Sequence, residues 1–137
     1  MDPEKYLERQ RQLDGIRAIA QEAAQTIMKV YNSSFKITYK DDRSPLTEAD
    51  HASHALIRTL LADLEPTLPV LSEESAEEEV RERLAWQHYW LVDPLDGTKE
   101  FIKRNGEFTV NIALIERSRA VLGVVVAPAL GLEYSGA

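Results

Sequence analysis

Two aspartates stand three positions apart across a proline in Asp93-Pro94-Leu95-Asp96-Gly97-Thr98. Proline fixes the local bend, so both carboxylates can face one point while the Leu95 carbonyl turns inward. Two carboxylates and a backbone carbonyl are hard oxygen ligands that suit Mg²⁺ better than a soft metal. Glu73, in Leu71-Ser72-Glu73-Glu74, offers a further oxygen from a separate stretch. Carboxylates gathered without a cation repel one another by several kcal/mol, so their convergence implies a divalent ion. Directly downstream, Gly97 and Thr98 present backbone N–H groups at the start of the helical turn Lys99-Glu100-Phe101-Ile102-Lys103, where an anion is favoured. Metal-facing oxygens on one side and N–H groups on the other describe a receptacle for a phosphate. The Thr98 hydroxyl, hydrogen-bonded to Asp50, can orient an attacking water, and the chemistry is metal-assisted phosphoester hydrolysis.

Each signal also has a plainer reading. Asp-Pro-x-Asp-Gly is a common turn composition, Thr47-Glu48-Ala49-Asp50 is a helix cap, and Glu73-Glu74 is solvated surface charge. His51 and His54 have no third nitrogen or sulfur ligand with them and read as exposed polar residues. Trp86 and Trp90 read as packing.

The elements that must position these groups follow from periodicity. Leu13, Ile16, Ala20, Ala23, Ile27 and Val30/Tyr31 recur at helical spacing and predict a long first helix that gives way at Asn32-Ser33-Ser34. Ile37 and Tyr39 alternate with lysines and threonine in a short strand. Asp41 to Leu46 reads as a polar turn, and Thr47 with Asp50 three residues on starts a second helix. Its buried face is expected to be Ala49, Leu56, Leu60 and Leu64 with Ile57 and Leu61, ending at Pro66. Pro69-Val70-Leu71 is a brief apolar run, and Glu77 to Arg83 is a charged helical turn without assigned function. Tyr89-Trp90-Leu91-Val92 predicts a strand that stops at Asp93, placing the aspartate loop at its carboxyl end. Phe108–Ile115 and Ala120–Ala127 predict a hairpin through Glu116-Arg117-Ser118-Arg119, and Glu133-Tyr134-Ser135 begins a further strand. The chain then stops within what reads as sheet, which predicts a portion of a longer protein.

Composition bounds the partners. With 137 residues, one domain is expected, and 44% hydrophobic against 28% charged residues is a globular balance. Cysteine is absent, which excludes thiolate metal sites, thiol nucleophiles and disulfides. A net charge of −7, from 23 acidic and 16 basic side chains, argues against a nucleic acid polymer as partner. No signal peptide is visible, and no apolar run approaches the ~20 residues of a spanning helix.

Taken jointly, Lys40-x-Asp42-x-Ser44-Pro45-Leu46-Thr47-x-Ala49-Asp50, Leu71-Ser72-Glu73-Glu74 and Trp90-Leu91-Val92-Asp93-Pro94-Leu95-Asp96-Gly97-Thr98 resemble the inositol monophosphatase-like, lithium-sensitive phosphatase superfamily in order and spacing. The segment Lys99 to Leu114 is similar to its CysQ-type 3′(2′),5′-bisphosphate nucleotidase branch. The resemblance spans the chain from about Leu13. It implies an α+β fold in which two N-terminal helices pack on a mainly antiparallel sheet, the truncated N-terminal half of an αβαβα sandwich. It implies Mg²⁺ ligation by Glu73, Asp93, Asp96 and the Leu95 carbonyl, phosphate contacts from the Gly97 and Thr98 N–H groups, water activation through Thr98 with Asp50, and a water held by Glu74. The implied reaction removes the 3′-phosphate of adenosine 3′,5′-bisphosphate, in the service of sulfur assimilation and nucleotide recycling. The implied setting is cytoplasmic, with the inner face of the cell membrane as a peripheral variant. Family members are roughly twice as long, and the aspartate that completes the metal site and the pocket for base and ribose belong to the second half. An inositol or fructose phosphatase of the same superfamily, or a non-catalytic cation-binding remnant, are the rival readings.

Overall fold

The computed structural model describes residues 2–40, 45–73 and 85–137. The turn at Asp41–Ser44, Glu74 and the charged stretch Glu77–Arg83 lie outside the described residues. Helix α1 spans Pro3–Tyr31. The Asp2 carboxylate accepts the Glu4 N–H at 3.1 Å, and Pro3 occupies a first-turn position that needs no donor. The helix therefore begins well before Leu13. Its buried face in those extra turns is made by Arg9 and Gln12, polar residues that leave no apolar period to detect.

Strands β1 (Ile37–Tyr39) and β2 (Pro45–Thr47) form a small antiparallel hairpin, so Pro45 and Leu46, read from the sequence as part of a turn, are strand. Helix α2 is Glu48–Leu64. Its fully buried line is Ala49, Asp50, Ser53, Ile57 and Leu61, while Leu56, Leu60 and Leu64 sit half-buried on the flank. Two of the positions facing inward are thus polar, which the apolar periodicity could not register.

Strands β3 (Val70–Ser72), β4 (His88–Asp96), β5 (Thr109–Glu116), β6 (Arg119–Ala127) and β7 (Leu132–Gly136) form one sheet in that spatial order. A short helix α3 (Thr98–Lys103) joins β4 to β5, and a 3₁₀ turn (Pro128–Leu130) joins β6 to β7. Among the described residues only the β3–β4 pairing is parallel, so the α+β architecture with a mainly antiparallel sheet is as expected. Trp90, Val92, Ile112, Leu114, Leu122, Val124 and Val126 alternate along the strands and are buried with Ile16, Ala20, Ala23, Ile27, Ile57 and Leu61 of the helices. Each large aliphatic side chain buried in this way contributes roughly 1.5–3 kcal/mol. No helix among the described residues is long and apolar enough to cross a membrane.

β4 does not stop at Asp93. It continues to Asp96, with a shift in register against β5 between Asp93 and Asp96. Pro94 has no N–H to give to a ladder, so pairing lapses there and resumes where Asp96 meets Thr109.

Two features of the scaffold give measurable expectations. The β5–β6 hairpin turns through Arg117 (φ 49°) and Ser118 (φ 67°), both in the left-handed region that favours glycine. Ser118→Gly is expected to stabilise the fold by up to about 1 kcal/mol, read as a rise in the urea midpoint; a fall would contradict it. Beside the same turn, Arg9 donates to Glu116, and this hydrogen bond holds the Glu116 carboxyl below its ordinary 4.5, against the opposing effect of burial. A depressed carboxyl contributes stability that is present above about pH 4.5 and disappears as pH falls through the folded-state value. Glu116→Gln is therefore expected to flatten the acid limb of the stability curve below that pH, and an unchanged limb would count against the pairing.

Candidate active site

Asp50 is the third residue of α2 and is 1% exposed. Its Oδ2 accepts the Thr47 N–H at 2.9 Å and the Thr47 hydroxyl at 2.7 Å, and its Oδ1 accepts the Thr98 hydroxyl at 2.8 Å. The carboxylate is therefore both things the sequence allowed. One oxygen closes the helix start, and the other reaches the first residue of α3. A negative charge in the first turn of α2 is also favoured by the helix dipole.

Thr98 is placed by Gly97 and by an aromatic cluster. Gly97 adopts φ 94°, and a Cβ there would lie 2.8 Å from the Glu107 carbonyl oxygen. Beneath α3, the buried Phe101 packs edge-on to Phe108 at 5.1 Å between centroids, with Tyr31 and Phe35 at 5.2 and 4.9 Å from Phe101. Arg104, in the left-handed conformation that ends α3, hydrogen-bonds the carbonyls of Tyr31 and Ser33 and lies 4.7 Å over the Phe35 ring. α3 is thus tied to the end of α1. Sequence reasoning missed Arg104, whose only signal was a helix-terminal cation.

The metal-facing candidates divide. Glu73 and Asp93 line one cleft of about 700 Å³ on the sheet face turned away from the helices, together with Leu91, Asn111, Val125 and Tyr134. Parallel pairing of β3 with β4 brings them there, since the Glu73 N–H donates to the Val92 carbonyl at 3.2 Å. Asp96 is exposed and is not part of that cleft lining. Leu95 is buried, and its carbonyl oxygen lies 3.5 Å from the Thr98 hydroxyl. Among the described residues no group of three or more Asp, Glu or His is close enough to hold a metal ion together. The donor chemistry is nonetheless all hard oxygen, carboxylate and carbonyl with no cysteine in the chain, which is the set Mg²⁺ takes. His51 is exposed as expected. His54 is not: it is half-buried, with Nδ1 2.9 Å from the Ser72 hydroxyl, because its place four residues after Asp50 turns it toward β3. Trp90 is fully buried in the core, and Trp86 packs on Tyr89 at 5.9 Å.

Two helices layered on this sheet thus bring an acidic α2 start onto a Gly-Thr turn, with carboxylates at the ends of β3 and β4. The chain belongs to the inositol monophosphatase family, whose model matches residues 9–137. It is 55% identical over 91% of its length to the 3′(2′),5′-bisphosphate nucleotidase CysQ of Salmonella typhimurium, of which it covers 51%. Among solved structures, CysQ from Bacteroides thetaiotaomicron is 44% identical with a TM-score of 0.72, covering 86% of this chain and 42% of that one. A Thermotoga maritima inositol monophosphatase, 24% identical, shares the fold with a TM-score of 0.80 over 91% of this chain and 47% of that one. The chain spans about half the length of the curated relatives it matches.

Proposed function

We propose that this chain carries the metal-holding and water-orienting part of a Mg²⁺-dependent phosphatase that removes the 3′-phosphate from adenosine 3′,5′-bisphosphate, giving AMP and phosphate. The carrying observation is the partly buried Thr98–Asp50 hydrogen bond that joins α2 to the turn after β4. A hydroxyl has one proton and two lone pairs. Thr98 gives its proton to Asp50, so its oxygen can only accept from a further partner, which fixes the orientation of a water beside it. Asp50 in turn cannot rotate, because Thr47 holds its other oxygen twice. Glu73, Asp93, Asp96 and the Leu95 carbonyl would hold Mg²⁺. When bound, the ion supplies charge stabilisation at the phosphoryl oxygens and lowers the pKa of bound water. The first-turn N–H groups of Gly97 and Thr98 would face the phosphate.

The nucleotide substrate is favoured by the similarity to proteins named bisphosphate nucleotidases. The test is phosphate release by the protein from adenosine 3′,5′-bisphosphate, inositol 1-phosphate and fructose 1,6-bisphosphate, compared as kcat/KM with and without Mg²⁺. Preference for the first supports the reading. Preference for either sugar phosphate moves the assignment within the superfamily, and Mg²⁺ uptake without any hydrolysis leaves a cation-binding protein. Asp93→Asn is expected to weaken calorimetric Mg²⁺ binding by about 10-fold or more, and undiminished binding would refute the ligand set.

A further inference from the structure

Helix α2 reaches the site with more than Asp50. Ser53 and His54 follow it at three and four residues and share its helix face. Asp50 meets Thr98, Ser53 donates its hydroxyl to the Pro94 carbonyl at 2.7 Å, and His54 meets Ser72, the residue before Glu73, at 2.9 Å. One helix face thus touches both segments that bear the candidate ligands and the turn that carries Thr98.

The Ser53 contact acts where β4 leaves its ladder with β5. Pro94 has its φ locked by its ring, which leaves ψ as its soft backbone dihedral, and that angle has both a helical and an extended well. Pairing with β5 lapses at Pro94 and Leu95, so the sheet does not choose between the wells. The fully buried Ser53 hydroxyl does, by binding the Pro94 carbonyl. Fixing that carbonyl fixes the plane of the Pro94–Leu95 peptide, and with it the start of the segment that carries the Leu95 carbonyl and the Asp96 carboxylate.

We infer that Ser53 is a positioning residue for the metal-facing oxygens of Leu95 and Asp96. This rests on the Mg²⁺ reading above. Alanine at this position removes one oxygen and is a better helix former, so Ser53→Ala keeps the fold. Calorimetric Mg²⁺ titration of the protein is expected to show affinity about tenfold weaker in Ser53→Ala. Ser53→Thr, which keeps the hydroxyl, is expected to stay within about threefold of the unmodified chain. Ile57→Val, which trims the core face of the same helix, should lower Tm without changing Mg²⁺ affinity. Should the alanine variant not fold, Ser53→Cys, nearly isosteric but a weak donor, carries the same expectation of weakened binding.

Full Mg²⁺ affinity in folded Ser53→Ala, alongside lost affinity in Asp93→Asn, would overturn this inference and leave the metal reading standing. An equal loss in Ile57→Val would also overturn it, since general loosening of α2 would then explain the effect. Absence of Mg²⁺ uptake by the unmodified protein would overturn both.

Discussion

Gly97→Ala is expected to cost about 3 kcal/mol of stability or more. Holding φ at 94° costs a non-glycine residue about 1–2 kcal/mol, and the new Cβ would sit 2.8 Å from the Glu107 carbonyl oxygen, with the Phe108 Cα at 3.3 Å. Both obstacles are backbone, so neither can swing aside as a flexible side chain would. Relief requires the turn between β4 and α3 to open, which moves Thr98 away from Asp50. Against a total of about 5–15 kcal/mol for a domain, such a loss is a large fraction. Urea unfolding followed by far-UV circular dichroism reads it directly. A midpoint within about 0.5 kcal/mol of the unmodified protein would show that the turn tolerates a side chain and that its conformation does not position Thr98.

Asp50→Asn has the second large effect, and it separates two roles of one side chain. The carboxylate is an acceptor at both oxygens, toward Thr47 twice and Thr98 once. An amide has one oxygen and one NH₂; with the oxygen kept on Thr47, whose N–H can only donate, the NH₂ donates to the Thr98 hydroxyl, which must then turn its own proton elsewhere. The reversed hydrogen bond and the lost charge in the first turn of α2 are expected to lower stability by about 1 kcal/mol. In phosphate release from adenosine 3′,5′-bisphosphate, loss of the fixed acceptor is expected to lower kcat by about 10²–10⁴, the range for a positioned acid–base group. Calorimetric Mg²⁺ affinity should change little, because Asp50 is outside the proposed ligand set. A kcat within about threefold of the unmodified protein would remove Asp50 and Thr98 from the water-orienting role.

Some of this was legible in the chain. The Thr47–Asp50 start of α2 could be read because a helix cap is local: donor and acceptor are three residues apart, and spacing alone brings them together. The β5–β6 hairpin and the long α1 were legible for the same reason. Pro94 and Gly97 also announced an irregular stretch, though β4 runs on through it, because a proline at a lapse in pairing ends a ladder bond without ending a strand.

What could not be read depended on contacts between distant segments. His54 looked like an exposed side chain, and only the placement of α2 beside β3 gives it Ser72 as a partner. Ser53 carried no signal at all, since a serine inside an apolar helix face is indistinguishable by type from a filler until Pro94 is placed opposite it. Arg104 likewise acquires its role when the end of α1 arrives beneath it.

The amino-acid sequence by itself determined which groups are available: hard oxygen donors without thiols, a Gly-Thr turn after an aspartate pair, and a capped helix bearing Asp50. Those are properties of residue type and short spacing, where a few backbone dihedrals settle the geometry. Only the tertiary structure decided which of them meet. It joined Asp50 to Thr98, set Glu73 and Asp93 on one cleft, and left Asp96 outside it. Hydrogen bonds act over about 3 Å, and segments tens of residues apart come within that range only after the core of α1, α2 and the sheet has packed and fixed where each strand ends.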